Sequence, residues 1–230
     1  MSKFSELGND LYTGKRSFDF VGKRKIFYVV ALVMVALAII LPIARGGFNF
    51  GIEFRGGSEF RVTGVSQSTE QSAIAAVKSV VPSANPLVTA VGTDGLRIQT
   101  DKLTDTESEA VRQALASAYK VEGNKVASSF VGANWGADIT GKAVNGLVVF
   151  IALAAVLMAL YFRTLKMSIA AMLALLHDLI ITAGVYGAIG FEVTPAAVIG
   201  FLTILGYSLY DTVVVFDKIR ENTFEVEFSE

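Results

Sequence analysis

Four long runs of apolar residues alternate with polar stretches along the chain. From Ile26 to Ile43 the sequence IFYVVALVMVALAIILPI carries no charge. At about 1.5 Å of rise per residue it nearly crosses a hydrocarbon layer roughly 30 Å thick. Three further runs, 144–162, 167–190 and 195–216, have the same character. The pattern predicts an α-helical membrane protein with four transmembrane helices and one polar domain, 44–143, between the first two. The first run exceeds a signal-peptide core of about 7 to 15 residues and shows no small-residue cleavage pattern, so it reads as a retained anchor.

Directly after the first run comes FNFGIEFRGGSEF, in which Phe48, Phe50, Ile52 and Phe54 alternate with Asn49, Gly51, Glu53 and Arg55. That period predicts a strand with one buried face, or an amphipathic edge along the membrane surface. Gly56 and Gly57 then permit a turn that other residues resist. Gly51, Glu53, Gly56 and Gly57 all lie in this exit from the first span.

The rest of the domain reads as two similar halves. Ser58–Gly64 predicts a strand, and Ser68 with Gln71 a capping box for a helix whose Ile74, Val77 and Val81 share a face before Pro82 ends it. Strands follow near 87–91 and 96–100, joined by Gly-Thr-Asp-Gly. Thr104 and Glu107 cap a second helix with Val111, Leu115 and Tyr119 on one stripe, and a last strand falls near 125–131. The order β-α-β-β-α-β predicts an α+β domain of ferredoxin-like type.

Charge orients the chain. Lys15, Arg16, Lys23, Arg24 and Lys25 precede the first span, Arg163 and Lys166 separate the second from the third, and Lys218 and Arg220 follow the fourth. The excess of Lys and Arg marks cytoplasmic flanks. Segments 1–25 and 217–230 are therefore expected inside, and the FEVT link (Phe191–Thr194) and domain 44–143 outside. A net charge of −1 gives no case for nucleic acid, and zero cysteines exclude disulfides and thiolate-bound metals. The polar domain's balanced charges read as a solvated surface. It holds no catalytic constellation, so no enzyme activity, metal site or cofactor is expected, and membrane lipid is the surrounding medium.

Ionisable residues inside the spans carry the chemical signal. His177 and Asp178 fall about 16 Å from the cytoplasmic end of the third span, and Asp211 about 10 Å from the inner surface in the fourth. A carboxylate at a helix centre is disfavoured by about 2.5 to 3.5 kcal/mol, so these groups are expected to face the bundle interior and carry protons. Loss of water favours a carboxyl group's neutral form and suits it to exchange protons. The alternatives are a hydrogen-bonded Asp211 packed with Tyr207, and a His177–Asp178 pair splayed about 100° apart and bonded to neighbouring backbone. Ala183 with Gly187, and Gly200 and Gly206, are expected to allow close helix packing. Thr194 and Pro195 predict the fourth helix's start, and Asp217, Lys218, Arg220 and Glu221 a solvated interface.

Three motifs, GIEFRGG (Gly51–Gly57), LLHD (Leu175–Asp178) and TILGYSLYDTVVVFDKIREN (Thr203–Asn222), resemble the SecF side of the SecD/SecF family, protein-export membrane proteins of the resistance-nodulation-division (RND) superfamily. The resemblance implies a non-enzymatic accessory subunit of the bacterial plasma membrane, working with SecD beside the SecYEG channel. It would couple proton movement to late-stage translocation of a preprotein, with protons as coupling ion and no other cofactor. Asp211 matches the family's relay residue, and the resemblance makes the segment with Gly51, Glu53, Gly56 and Gly57 the junction that couples the first span to the polar domain.

Departures from the family pattern are Glu53 in place of Asp, Tyr210 in place of Asn, and VGANWG (Val131–Gly136) without its usual proline. The resemblance also implies six spans, so the chain is expected to lack the last two and a fifth-span relay arginine. Competing readings are half of an RND-type small-molecule exporter, against which the short domain and the last motif speak, and a translocon scaffold without proton chemistry. A scaffold tolerates Asp211→Asn; a relay does not.

Overall fold

The charge-free run after Lys25 forms α1, Arg24–Ala44, whose exit at Gly46 and Gly47 leads to a two-residue strand β1, Asn49–Phe50. The computed structural model describes residues 8, 9, 13, 19–65 and 70–227, with side chains through 222. The alternating segment departs from a continuous strand. After Gly51 the chain turns into a short helix α2, Ile52–Arg55, before strand β2, Gly57–Thr63. The reason is local: the Phe54 and Arg55 amides donate to the Gly51 carbonyl, and Gly56 donates to Ile52, closing one helical turn.

Beyond β2 come α3, Glu70–Val80; β3, Leu87–Val91; β4, Gly95–Thr100; α4, Asp105–Tyr119; and β5, Val126–Val131. The capping box expected at Ser68 lies outside the described residues, whereas Thr104 and Glu107 form theirs reciprocally at the head of α4. The four strands are antiparallel in the order β3-β4-β2-β5. Period-two alternation sends Phe60, Val62, Leu96 and Ile98 to one face. There they are fully buried with Val77 of α3 and Val111 and Leu115 of α4. Each such side chain contributes about 1.5–3 kcal/mol by leaving water.

Three helices complete the apolar set: α5, Ala133–Phe162; α6, Leu165–Ile189; and α7, Pro195–Glu227, with strand β6, Glu192–Val193, between the last two. With α1 they are long and apolar enough to cross a membrane. Two bounds differ from the hydropathy reading. α5 begins eleven residues before Val144, since nothing in 133–143 breaks a helix that β5 feeds directly. α7 continues through 217–227 instead of ending at the fourth apolar run, its charged turns held by the pairs Arg220–Asp217 and Lys218–Glu221.

α6 is the hub, packed against α1 on one side and against α5 and α7 on the other. Ala154, Leu175 and Leu205 form one buried knot among α5, α6 and α7, and Met158, Phe162 and Ala171 another nearer the end remote from the polar domain. Gly190 ends α6 in the left-handed region, and the Thr194 hydroxyl accepts from the Ala197 amide to start α7 at Pro195.

Candidate functional site

Asp178, halfway along α6, is engaged through both oxygens. Oδ1 lies 3.0 Å from His177 Nδ1, and Oδ2 accepts a 2.5 Å hydrogen bond from Ser208 Oγ of α7. The two neighbours therefore bond to each other through their side chains, not to adjacent backbone. His177 Nε2, the other ring nitrogen, is buried and has no hydrogen-bond partner among the described residues. The result is a part-buried chain of polar groups, His177–Asp178–Ser208, joining two helices along their shared seam.

Sequence reasoning misses Ser208. A signal exists, because α6 and α7 form a hairpin: counted outward from the turn at 190–194, Asp178 and Ser208 both fall about 20 Å along their helices. Equal depth on antiparallel neighbours brings them together.

Asp211 lies one helical turn beyond Ser208, and here the expectation of an inward-facing carboxylate is corrected. It is exposed, and makes no hydrogen bond or ion pair with the described residues. The cause is helical phase. α7 packs through Leu205, Leu209 and Val213, and Asp211 stands about 200° round from Leu209. Tyr207, 71% exposed, points outward as well and does not bond Asp211, which removes that pairing. Gly200, Thr203, Gly206, Tyr207, Tyr210 and Asp211 thus make a small and polar stripe on α7 that this chain leaves uncovered.

Glycine packing divides accordingly. A Cβ at Gly187 would lie 2.6 Å from the Phe48 ring and 3.0 Å from Pro42 Cβ, so this residue does seat α6 against α1 and its exit. Its tight companion is Gly184 against Ala38, not Ala183. A Cβ at Gly200 or Gly206 would meet nothing within 4 Å, so neither packs a helix among the described residues.

The junction is built around three glycines. Gly57, at φ +146, presses against Thr100, whose carbonyl oxygen would sit 2.4 Å from a Cβ there; Gly56 has φ +76. Gly136 at the start of α5 lets the Phe54 carbonyl come equally near, 2.5 Å from its would-be Cβ. α2 is thereby wedged between β4 and α5. On its other side β1 pairs in parallel with β6, and the Gly51 amide donates to Val193 at 2.9 Å. Glu192 of β6 is ion-paired with Arg97 of β4, tying the polar domain to the α6–α7 turn. Glu53 keeps one carboxylate oxygen buried and unpartnered beside Gly51, near an orphaned oxygen of Glu192. Arg45 and Asn49 close the joint by donating to the carbonyls of Ala188, at 2.6 Å, and Gly190, at 2.9 Å.

Known proteins share this layout. The profile described as "Protein export membrane protein SecD/SecF, C-terminal" matches residues 110–229, from α4 through all of α7. The "SecD/SecF GG Motif" matches 43–64, the end of α1 through β2. The chain is 40% identical over 227 residues to the protein translocase subunit SecF of Streptomyces coelicolor, covering 98% of this chain and 60% of that relative. It is 41% identical to the subunit of the same name from Mycobacterium tuberculosis, over 93% of this chain and 50% of the relative. It thus spans 60% and 50% of the lengths of these two proteins. In three dimensions 90% of it superposes on 28% of SecDF, a translocon-associated membrane protein from Thermus thermophilus, at 27% identity and a TM-score of 0.73. With the profile running through more than half of the chain, and the glycine joint falling inside the second match, this protein belongs to the SecD/SecF family of protein-export membrane proteins.

Proposed function

We propose that the chain acts as a non-enzymatic accessory subunit of Sec protein export, coupling proton movement to the late stage of preprotein translocation. In this reading SecD is its partner, the SecYEG channel its neighbour, the bacterial plasma membrane its location, and the proton its only coupling ion. The polar domain is a ferredoxin-like unit on the outer face. It is moved through the junction by proton-dependent shifts of α6 against α7.

The observation that carries the proposal is the placement of Asp178 and Asp211. One is held between two helices by Ser208, and the other lies a turn away on an uncovered polar stripe. An aspartate facing lipid in mid-helix is disfavoured by about 2.5–3.5 kcal/mol. A partner surface that covers the stripe removes that cost and gives the carboxyl a route for protons. The Arg97–Glu192 pair and the β1–β6 ladder supply the mechanical link from α6–α7 to the domain.

The test is the pulse-chase rate at which an exported protein is cleaved and released in a host depleted of its own SecF. The host is supplied with a form extended to the relatives' length, unchanged or carrying Asp211→Asn at matched expression. Slow release with the substituted form alone is expected. Normal release from both leaves a scaffold, and failure of both to rescue removes the export role.

A further inference from the structure

Where the polar domain overhangs the membrane helices, two hollows share a wall. The upper one, of about 490 Å³, lies between the α1 exit and α3, and Phe48, Phe50, Arg55, Lys78 and Asn85 line it. The lower one, of about 380 Å³, is almost wholly apolar and runs between α2, α5 and the start of α7, along Phe54, Val144, Leu147 and Val198. Phe50 and Arg55 line both, so the two hollows lie back to back across these side chains, one above the other.

Depth and charge identify the occupant. Val144 and Leu147 lie about 22–27 Å along α5 from its far end at Phe162, at the edge of a hydrocarbon layer roughly 30 Å thick. The lower hollow therefore opens at the top of the acyl region, and the upper one at the level of lipid headgroups. The upper hollow holds two cations. Among the described residues Arg55 is ion-paired with Asp101 alone, at 3.6 Å and with Asp101 67% exposed, and Lys78 makes no ion pair or hydrogen bond. A cationic cleft standing directly over an apolar groove fits a molecule with an anion at one end and a hydrocarbon chain at the other.

We propose that the two hollows form one binding site for an anionic phospholipid of the leaflet on the polar domain's side. The phosphate sits between Arg55 and Lys78, and one acyl chain lies along Phe54, Val144, Leu147 and Val198. Bound there, the lipid touches α3, the junction, α5 and α7 at once, and so sets how the domain is seated on the helices. The site goes beyond the export reading and requires only that the four helices lie in a bilayer.

Native mass spectrometry of the purified chain tests it, with palmitoyl-oleoyl phosphatidylglycerol, phosphatidylcholine of the same chains, and glycerol phosphate as probes. Retention of phosphatidylglycerol roughly tenfold above phosphatidylcholine is expected, since each basic side chain near the headgroups adds to the attraction. Arg55→Gln with Lys78→Gln should bring the two lipids level, and Val144→Trp, which fills the groove from an exposed position, should lower retention of both. Three results overturn the proposal: equal retention of the two lipids by the unchanged chain, no effect of either variant, or displacement of phosphatidylglycerol by equimolar glycerol phosphate. An unaltered melting temperature in both variants keeps loss of fold out of the comparison.

Discussion

Ala38 of α1 and Gly184 of α6 meet so closely that a Cβ on Gly184 would lie 2.3 Å from the Ala38 Cβ and 2.4 Å from its carbonyl oxygen. Backbone cannot yield there as a side-chain tip does. Gly184→Ala should lower the stability of the chain in detergent by about 1–3 kcal/mol, the range for overpacking. Gly200→Ala, with nothing within 4 Å, should leave it unchanged or raise it. Thermal unfolding of the two variants side by side decides the matter, and equal losses would contradict the close contact.

Ser208→Ala removes the one hydroxyl among the described residues that is bonded to Asp178. Interhelical hydrogen bonds in membranes are worth about 0.6 kcal/mol on average and up to about 1.7. A loss in that range is expected, with Ser208→Thr close to unchanged because it keeps the donor. A double-mutant cycle with Asp178→Asn should show coupling; strict additivity would mean that the two side chains do not meet.

At the head of α4, hydrogen bonds from the Thr104 amide and hydroxyl hold the Glu107 carboxyl below its ordinary value of 4.5. A folded value below the unfolded one means that this stabilisation is fully present above about pH 4.5 and fades as pH falls through the lowered value. Thr104→Ala should therefore expose the first-turn amides of α4 to hydrogen exchange at neutral pH, by an amount corresponding to about 1 kcal/mol. The gap between variant and parent should narrow as the pH falls below 4.5. A gap that stays constant as the pH falls below 4.5 would contradict the reciprocal cap.

Orientation is tested with the chain's lack of native cysteine. Ser83→Cys, in the exposed turn after α3, should react with a membrane-impermeant maleimide on intact cells. Leu165→Cys, at the opposite ends of the bundle and 78% exposed, should react only after permeabilisation. Ser168 suits this purpose less, being buried and bonded to the Met158 and Thr164 carbonyls. Reversed labelling would turn the molecule over.

Elements whose cause is local were legible in the residues. Thr104 and Glu107 sit three apart, Phe60 and Val62 alternate with polar neighbours, and both patterns survive into the fold unchanged. The α2 turn was not, because the alternation of Ile52 and Phe54 fits a strand equally well until Gly51 and Gly56 close hydrogen bonds around it. Asp211 shows a different limit. Hydropathy says that a carboxylate in a span needs cover, yet its direction follows from which stripe of α7 packs, and Leu205 and Leu209 had already claimed the inner side. The Ser208 bond and the Arg97–Glu192 pair depend on partners brought near only by the hairpin and by the domain's seat.

The β1–β6 ladder also fixes an order of events. Asn49 and Phe50 leave the ribosome early, but their partners Glu192 and Val193 follow the whole polar domain and two more apolar helices. Arg45 likewise waits for Ala188, 143 residues later. During synthesis the domain can complete its own sheet, since all four strands lie before α5, while its attachment to the bundle stays unfinished. The joint is therefore the last part of the domain's environment to form, and arrest of synthesis before β6 leaves a folded domain on a loose tether.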